Sequence, residues 1–538
     1  MWLVITVGFN RWDAESWIDR VEPSWFTPRL GRRVYRFIKP IREFKLWSGS
    51  GEIFCSRIPP DASIDSIPSY NYSTAYLLTS GILSSIRSVS KVLVKPNNTG
   101  FIGAFISDPR LRKIMRIHGI SLDPDLQPIA SQPSMIAGIV DALIDHGVDV
   151  IDIGENMLWR GGTPRAFWET GYLKIFRGER YRGRVFFVDF YEGESIELET
   201  IKLDSVDGYD LGFYTEAKPP RALFDENYDL VIIASLAKTH NCSYYSLIAK
   251  NFSVTWNPRR IRWRIHGIPL RIFNDRGYIE DILGLEAAEG IEYRVYTISS
   301  NDKRYVIISN GLLSSSPLSV YEVGGELLAQ VDPHHLEGLS LSTLMIGIGY
   351  LIARFSVIYS AIVKKLKAKG AKIAGLISGI VGQEGEGPLI YGYRRFGGFA
   401  LAGFDTPALE SLALDIMFGY SNLNFIDQMR ILNRRLARRY RVEKAIPDIS
   451  YPWTIDLLAK LTGEHLDPRD LTVTLIDFVG REIRNPWDIR SGRPFKPSKA
   501  LYIPQLEWIK LLYTDRRIFK RSMDYVDKGI EIPLIPPS

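Results

Sequence analysis

The 538 residues carry 67 Lys and Arg against 61 Asp and Glu, and the net charge of +6 is small beside that total, so bulk charge does not argue for nucleic-acid binding. Hydrophobic residues at 46% and charged residues at 24% describe a globular protein with a large core and room for two or three domains. Two cysteines, Cys55 and Cys242, exclude a disulfide framework and fit a reducing interior.

The opening residues lack the basic stretch and the long apolar run of a signal peptide, so a cytoplasmic location is expected. Residues 1–70 are rich in aromatics and Arg, with a strand candidate at Trp2–Val7 and a Pro- and Ser-rich stretch near Pro59–Ser69 that marks a boundary. Residues 72–87 then read as a helix leading into a strand at Lys91–Lys95. Residues 131–147 read as a second helix, with Ser131 as hydroxyl cap, Pro133 in the first turn and Gly147 as stop. A strand at 148–154 follows, ending in Glu155. Strand, helix and strand at this spacing imply parallel pairing through a crossover.

Residues 178–215 are polar and Gly-interrupted and read as an antiparallel excursion. Residues 291–330 resemble them, with alternating strands on either side of Asn301–Asp302. The two stretches are expected to form a smaller β-rich layer. Leu344–Val363 has the length of a membrane span, but Arg354 at its centre and the strand-like Ala371–Ile380 after it favour a helix packed on a sheet. No stable membrane span is expected. Beyond Asn422 the chain turns helical and basic, then Pro-rich. The expected class is α/β: a mostly parallel or mixed sheet flanked by helices. Its divisions fall at an N-terminal extension (1–70), an α/β core (71–420) and a helical C-terminal region (421–538).

The chemistry gathers where apolar runs end. Asp229–Phe252 begins with Leu230, Val231, Ile232, Ile233 and Ala234, the composition of a strand buried on both faces. Lys238, Thr239 and His240 come directly after, and Lys250 and Asn251 one short helical stretch later. Such groups at the carboxyl edge of an open α/β sheet lie where ligands bind. His240 can transfer protons or cap a helix starting near Ser243. Lys238 and Lys250 can hold a carboxylate or phosphate, or be surface lysines. Lys95 and Asn97 repeat the design after an earlier strand. In the loop at 382–388, Gly385 and Gly387 permit close backbone approach to a ligand. Glu384 and Glu386 there suit a divalent cation, a general base or an ion-pair network. Asp405 is a further carboxylate, or an N-cap before Thr406–Pro407. His334 and His335, being adjacent, are poorly placed to share one ion. The Arg-rich helix at 427–442 and the Arg259–Arg264 stretch, with His266 after it, are the one basis for a nucleic-acid reading.

Lys95-Pro96-Asn97, Lys238-Thr239-His240, Lys250-Asn251 and Glu384-Gly385-Glu386-Gly387-Pro388, in that order, resemble the motifs of the domain of unknown function family numbered 362, over roughly residues 75 to 420. The resemblance implies a fold and a site rather than a reaction. Many relatives carry a ferredoxin-like cysteine module; two cysteines cannot supply its four thiolates, so no iron–sulfur cluster is expected. After Asp405, relatives tend to show another Asp where this chain has Glu410.

These residues point to an enzyme acting on a small anionic molecule. Lys238 and Lys250 would bind the anion with Lys95, Asn97, Asn251, Gly385 and Gly387, and His240 would transfer a proton. Glu384, Glu386 and Asp405 would hold a divalent cation or act as base. The cofactor is otherwise open. The rival is a non-catalytic nucleic-acid-binding or scaffold protein using the basic helix.

Overall fold

The computed structural model describes residues 11–18, 34–98, 121–156, 162–190, 197–203, 216–240, 244–256, 341–385, 392–418, 451–483 and 486–496, with hairpin backbone at 293–300, 303–310, 321–323 and 326–328. Trp2–Val7, Cys242, Arg259–Arg264, His266, His334, His335, Glu386–Pro388 and the helix at 427–442 lie outside the described residues.

The strands are β1 (Arg42–Trp47), β2 (Glu52–Arg57), β3 (Lys91–Pro96), β4 (Val150–Glu155), β5 (Val185–Asp189), β6 (Ile201–Lys202), β7 (Glu216–Ala217), β8 (Leu230–His240), β9 (Tyr244–Ser246), β10 (Tyr293–Ser300), β11 (Lys303–Asn310), β12 (Tyr321–Val323), β13 (Glu326–Leu328), β14 (Lys372–Gly385), β15 (Gly392–Phe396), β16 (Phe399–Gly403) and β17 (Thr472–Asp477). Among the described residues an 11-stranded mixed sheet runs β1-β17-β2-β16-β14-β8-β3-β4-β5, with β15 paired to β14 and β9 to β8. Its centre, β14-β8-β3-β4-β5, is parallel. The class is α/β, as the pattern of the chain leads one to expect.

The helices are α1 (Ala14–Ile18), α2 (Ile67–Ser84), α3 (Pro133–Asp145), α4 (Gly162–Glu169), α5 (Tyr172–Ile175), α6 (Ala222–Asp225), α7 (Ile248–Thr255), α8 (Leu341–Ala368), α9 (Thr406–Phe418) and α10 (Tyr451–Thr462). Two cores sandwich the sheet. Along β8, Leu230, Ile232, Ala234 and Leu236 enter one core with α2, α3 and α5, while Val231, Ile233 and Ala237 enter the other with α7, α8 and α9. That alternation is why the run is apolar throughout: a strand covered on both faces has no wet side.

Several local readings change. The strand expected to stop before Lys238 continues through His240 and is buried along its whole length. The residues after it form β9 rather than a helix near Ser243, and α7 begins at Ile248. Val185–Asp189 is the parallel edge strand of the main sheet, because its apolar side chains find β4 as a partner. Ser131 does not cap α3: its Oγ donates to the Ala234 carbonyl at 2.9 Å and accepts from the Asn97 N–H at 2.9 Å, tying β3 to β8. The stretch expected to pack as a central helix lies in α8, where Phe355, Ile358, Tyr359 and Ile362 are buried against the sheet. No helix among the described residues is long and apolar enough to cross a membrane.

At the edge opposite β5, the outer strands come from the two ends of the described chain. β17 pairs antiparallel with β1 and parallel with β2. Asp477 closes this join, accepting from Arg57 Nε at 2.7 Å and from Arg42 Nε at 2.8 Å. Burial works against its charge, but these arginine bonds and the Val479 N–H hold its carboxyl below the usual carboxylate range.

Candidate functional site

The parallel strands are not filled in one direction. From β3 the chain moves outward to β4 and β5, covering the α3 face; it then returns to the other side of β3 as β8 and leaves across the α7 face toward β14. The carboxyl ends of β3 and β8 therefore diverge onto opposite faces, the topological switch point at which open α/β sheets leave a crevice.

Lys95 is the next-to-last residue of β3 and is 0% exposed. Its Nζ meets Glu155 Oε1 at 3.0 Å and donates to Asn251 Oδ1 at 3.2 Å and to the Pro96 carbonyl, while the Trp256 ring lies 5.9 Å away. Glu155 ends β4 and also accepts from the Asn98 N–H at 3.2 Å and the Asn156 N–H at 2.9 Å. Asn251 completes a chain through its Nδ2, which donates to Ser235 Oγ at 3.0 Å on β8.

Lys238, also 0% exposed, donates to Asn97 Oδ1 at 3.1 Å and to the Ile129 carbonyl at 2.8 Å. Strand alternation puts His240 on the same face, roughly 7 Å further on. His240 is buried, as is Lys250, whose Nζ lies 5.3 Å from the Phe355 ring centre. Lysine is rarely buried without partners. Three so close to the ends of β3 and β8 and the start of α7 is therefore a specific arrangement, and its hydrogen bonds form two groups: Lys95 with Asn251 on the α7 face, and Lys238 with Asn97 on the α3 face. His240 lies two residues beyond Lys238 on β8, and Lys250 precedes Asn251 in α7.

The acidic loop behaves otherwise. Glu384 Oε1 accepts from Arg493 Nη2 at 3.2 Å and Oε2 from the Lys496 N–H at 2.9 Å, with Arg395 Nε at 3.9 Å. Of the readings open for it, the described contacts are those of an ion-pair network. Gly385 takes φ +79°, open to glycine, but presents no amide to a ligand: its N–H donates to the Lys496 carbonyl and its carbonyl accepts from Thr239 Oγ1, both at 2.8 Å. Asp405 is separated from Glu384 altogether. It follows β16, which runs antiparallel to β14 with Gly403 opposite Gly375, so it sits at the other edge, roughly 30 Å away along the strand. There its Oδ1 accepts from the His465 N–H at 3.1 Å, and Glu464 rather than Asp405 accepts the Thr406 N–H at the start of α9. No cluster of three or more His, Cys, Asp or Glu among the described residues is placed to hold a metal ion.

Gly382 serves the fold. A Cβ there would stand 2.5 Å from the Ala237 carbonyl and 2.8 Å from the Phe495 ring, where β14 shifts register so that Gln383 comes opposite Lys238. Gly382→Ala should destabilise by roughly 1–3 kcal/mol through overpacking. An unchanged urea midpoint would show that the strand can move aside.

Sequence reasoning gave Glu155 little weight, although the parallel pairing of β3 and β4 puts the ends of both strands side by side and was the signal available. It missed Gln132, whose Nε2 donates to the Val381 carbonyl at 3.0 Å, and Tyr172, whose hydroxyl donates to the Ser131 carbonyl at 2.6 Å. Neither carries a local motif. Glu410 is fully buried: Oε1 accepts from the Ala249 N–H at 2.7 Å and Oε2 from the Tyr245 hydroxyl at 3.2 Å. Burial pushes its carboxyl up to about 7, against the opposing pull of the Ala249, Tyr245 and Ile248 hydrogen bonds.

Residues 117–415, more than half of the chain, match the family model described as Domain of unknown function (DUF362). The chain belongs to this family. No curated protein matches the sequence. A crystal structure of a Thermotoga maritima protein, a structural genomics target, aligns at 14% identity over 44% of this chain and 55% of its own, with a TM-score of 0.24. In this DUF362 chain the Lys-Pro-Asn, Lys-x-His and Lys-Asn motifs meet at one sheet edge, and the described part of the E-G-x-G-P turn is held there by Thr239 of the Lys-x-His motif and by the chain's own residues 493–496.

Proposed function

We propose that this protein is an enzyme that binds a small anionic substrate or cofactor at the carboxyl edge between β3 and β8. One observation supports the reading: beside the switch point of the parallel sheet two buried lysines are held by asparagines of the matched motifs, Lys95 by Asn251 and Lys238 by Asn97. Lys238 and Lys250 supply positive charge, Asn97 and Asn251 orient it, and His240 is the group able to move a proton near neutral pH. Glu155 offsets part of the charge and holds Lys95 in place.

The test is a thermal-shift titration with inorganic phosphate, pyrophosphate and citrate. At least one should raise the melting temperature of the wild type, and Lys238→Met should weaken that binding about ten-fold or more, as loss of a charged hydrogen bond implies. His240→Ala should bind the same anion, keep the fold and lose turnover. Equal binding by Lys238→Met, or no shift with any of the three anions, would sink the proposal; a His240→Ala chain that fails to fold would make the histidine structural.

A further inference from the structure

Glu410 stands far in sequence from every residue of the strand-end cluster, yet it touches both pieces that carry it. Ala249, which donates to Oε1, precedes Lys250 and Asn251 in the first turn of α7. Tyr245, which donates to Oε2, lies on β9 opposite Thr239, between the partners of Lys238 and His240. The Asn251 that α7 presents then accepts from Lys95 and donates to Ser235. We propose that Glu410 is the positioning residue of this site: one buried carboxyl sets the start of α7 against the β8–β9 hairpin and so places Asn251 against Lys95. The proposal rests on the strand-end cluster being the functional site, but its geometry is testable without any ligand.

Either protonation state can do this work. Oε1 accepts from Ala249 in both, and the Tyr245 hydroxyl donates to a carboxylate or accepts from a carboxyl. Glutamine reproduces the pattern, with its oxygen toward Ala249 and its amide toward Tyr245. Alanine leaves both donors buried without a partner.

The experiment is lysine acetylation with acetic anhydride, read by mass spectrometry and normalised to exposed Lys369. In Glu410→Ala, Lys95 and Lys250 should label at least ten-fold faster than in wild type. Lys238 should stay protected, since Asn97 and Ile129 hold it independently of Glu410. Glu410→Gln should match wild type. Wild-type labelling of Lys95 and Lys250 in Glu410→Ala would overturn the proposal, and so would equal labelling of Lys238, which reports general unfolding. If Glu410→Ala does not fold, Tyr245→Phe removes one of the two bonds and should raise Lys250 labelling two- to five-fold; no change there overturns it equally. Absence of phosphate, pyrophosphate or citrate binding would defeat the anion-site reading while leaving this result intact.

Discussion

Lys95→Met should be among the most destabilising single changes in the protein, lowering stability by about 3–5 kcal/mol. Both ends of the Lys95–Glu155 pair are buried, at 0% and 3% side-chain exposure. Removing the ammonium leaves the Glu155 carboxyl buried without its cation, with the Asn98 and Asn156 N–H groups turned toward it among the described residues. It also leaves Asn251 Oδ1 without its donor. The double change Lys95→Met with Glu155→Leu removes both charges and should recover most of the loss, because burial of two unpaired hydrophobes carries no such penalty. Urea denaturation of the two single variants and the double variant closes the cycle. A double variant whose loss equals the sum of the two single losses would mean that the pair is not coupled.

The second large effect is on pH dependence. Glu410 has a folded-state pKa of about 7 against a reference of 4.5, raised chiefly by burial. Below 4.5 it is protonated whether the chain is folded or not, and its contribution to stability is whole. As pH rises from 4.5 through 7 the unfolded chain gives up this proton first, which favours unfolding. The loss amounts to about 3 kcal/mol by pH 8. Asp415, pushed up to about 7 by burial and by the charge of Asp467, acts in the same sense over the same range. Glu410→Gln should therefore flatten part of the decline and gain stability over wild type above pH 7. Parallel stability–pH curves for the two proteins would show that Glu410 does not titrate in this window. The buried Tyr245 and Tyr359 face the same carboxyl: Tyr245 serves it as hydrogen-bond donor, and Tyr359 is held well above its ordinary value by burial and by nearby carboxylates.

The sheet and the strand-end cluster were legible because local composition reports them. An unbroken run such as Leu230–Ala234 has few other uses than a doubly covered strand, and lysines at its end stand out against their surroundings. What did not show is what depends on direction and on contacts distant in sequence. Asp405 and Glu384 looked like partners because each follows or ends a strand; only the antiparallel sense of β16 reveals that they occupy opposite edges. Gly385 had the composition of a ligand loop, but its amide is taken by Lys496, more than a hundred residues away. Glu410 sits within an apolar helix, and its role is readable only once α7 is seen to begin at its carboxyl.

The order of strands bears on how the chain reaches this form. Among the described residues β1 is the earliest strand of the main sheet and pairs there with β17 alone, and β17 fills the place between β1 and β2. β1 and one edge of β2 thus gain their final partner only after more than four hundred further residues. The intervening strands can assemble in sequence, outward and back around β3, while this corner of the sheet stays open. The long-range closure falls at the end, making the last step the one with the greatest loop to close and the nascent chain's most adhesive surface the one exposed longest.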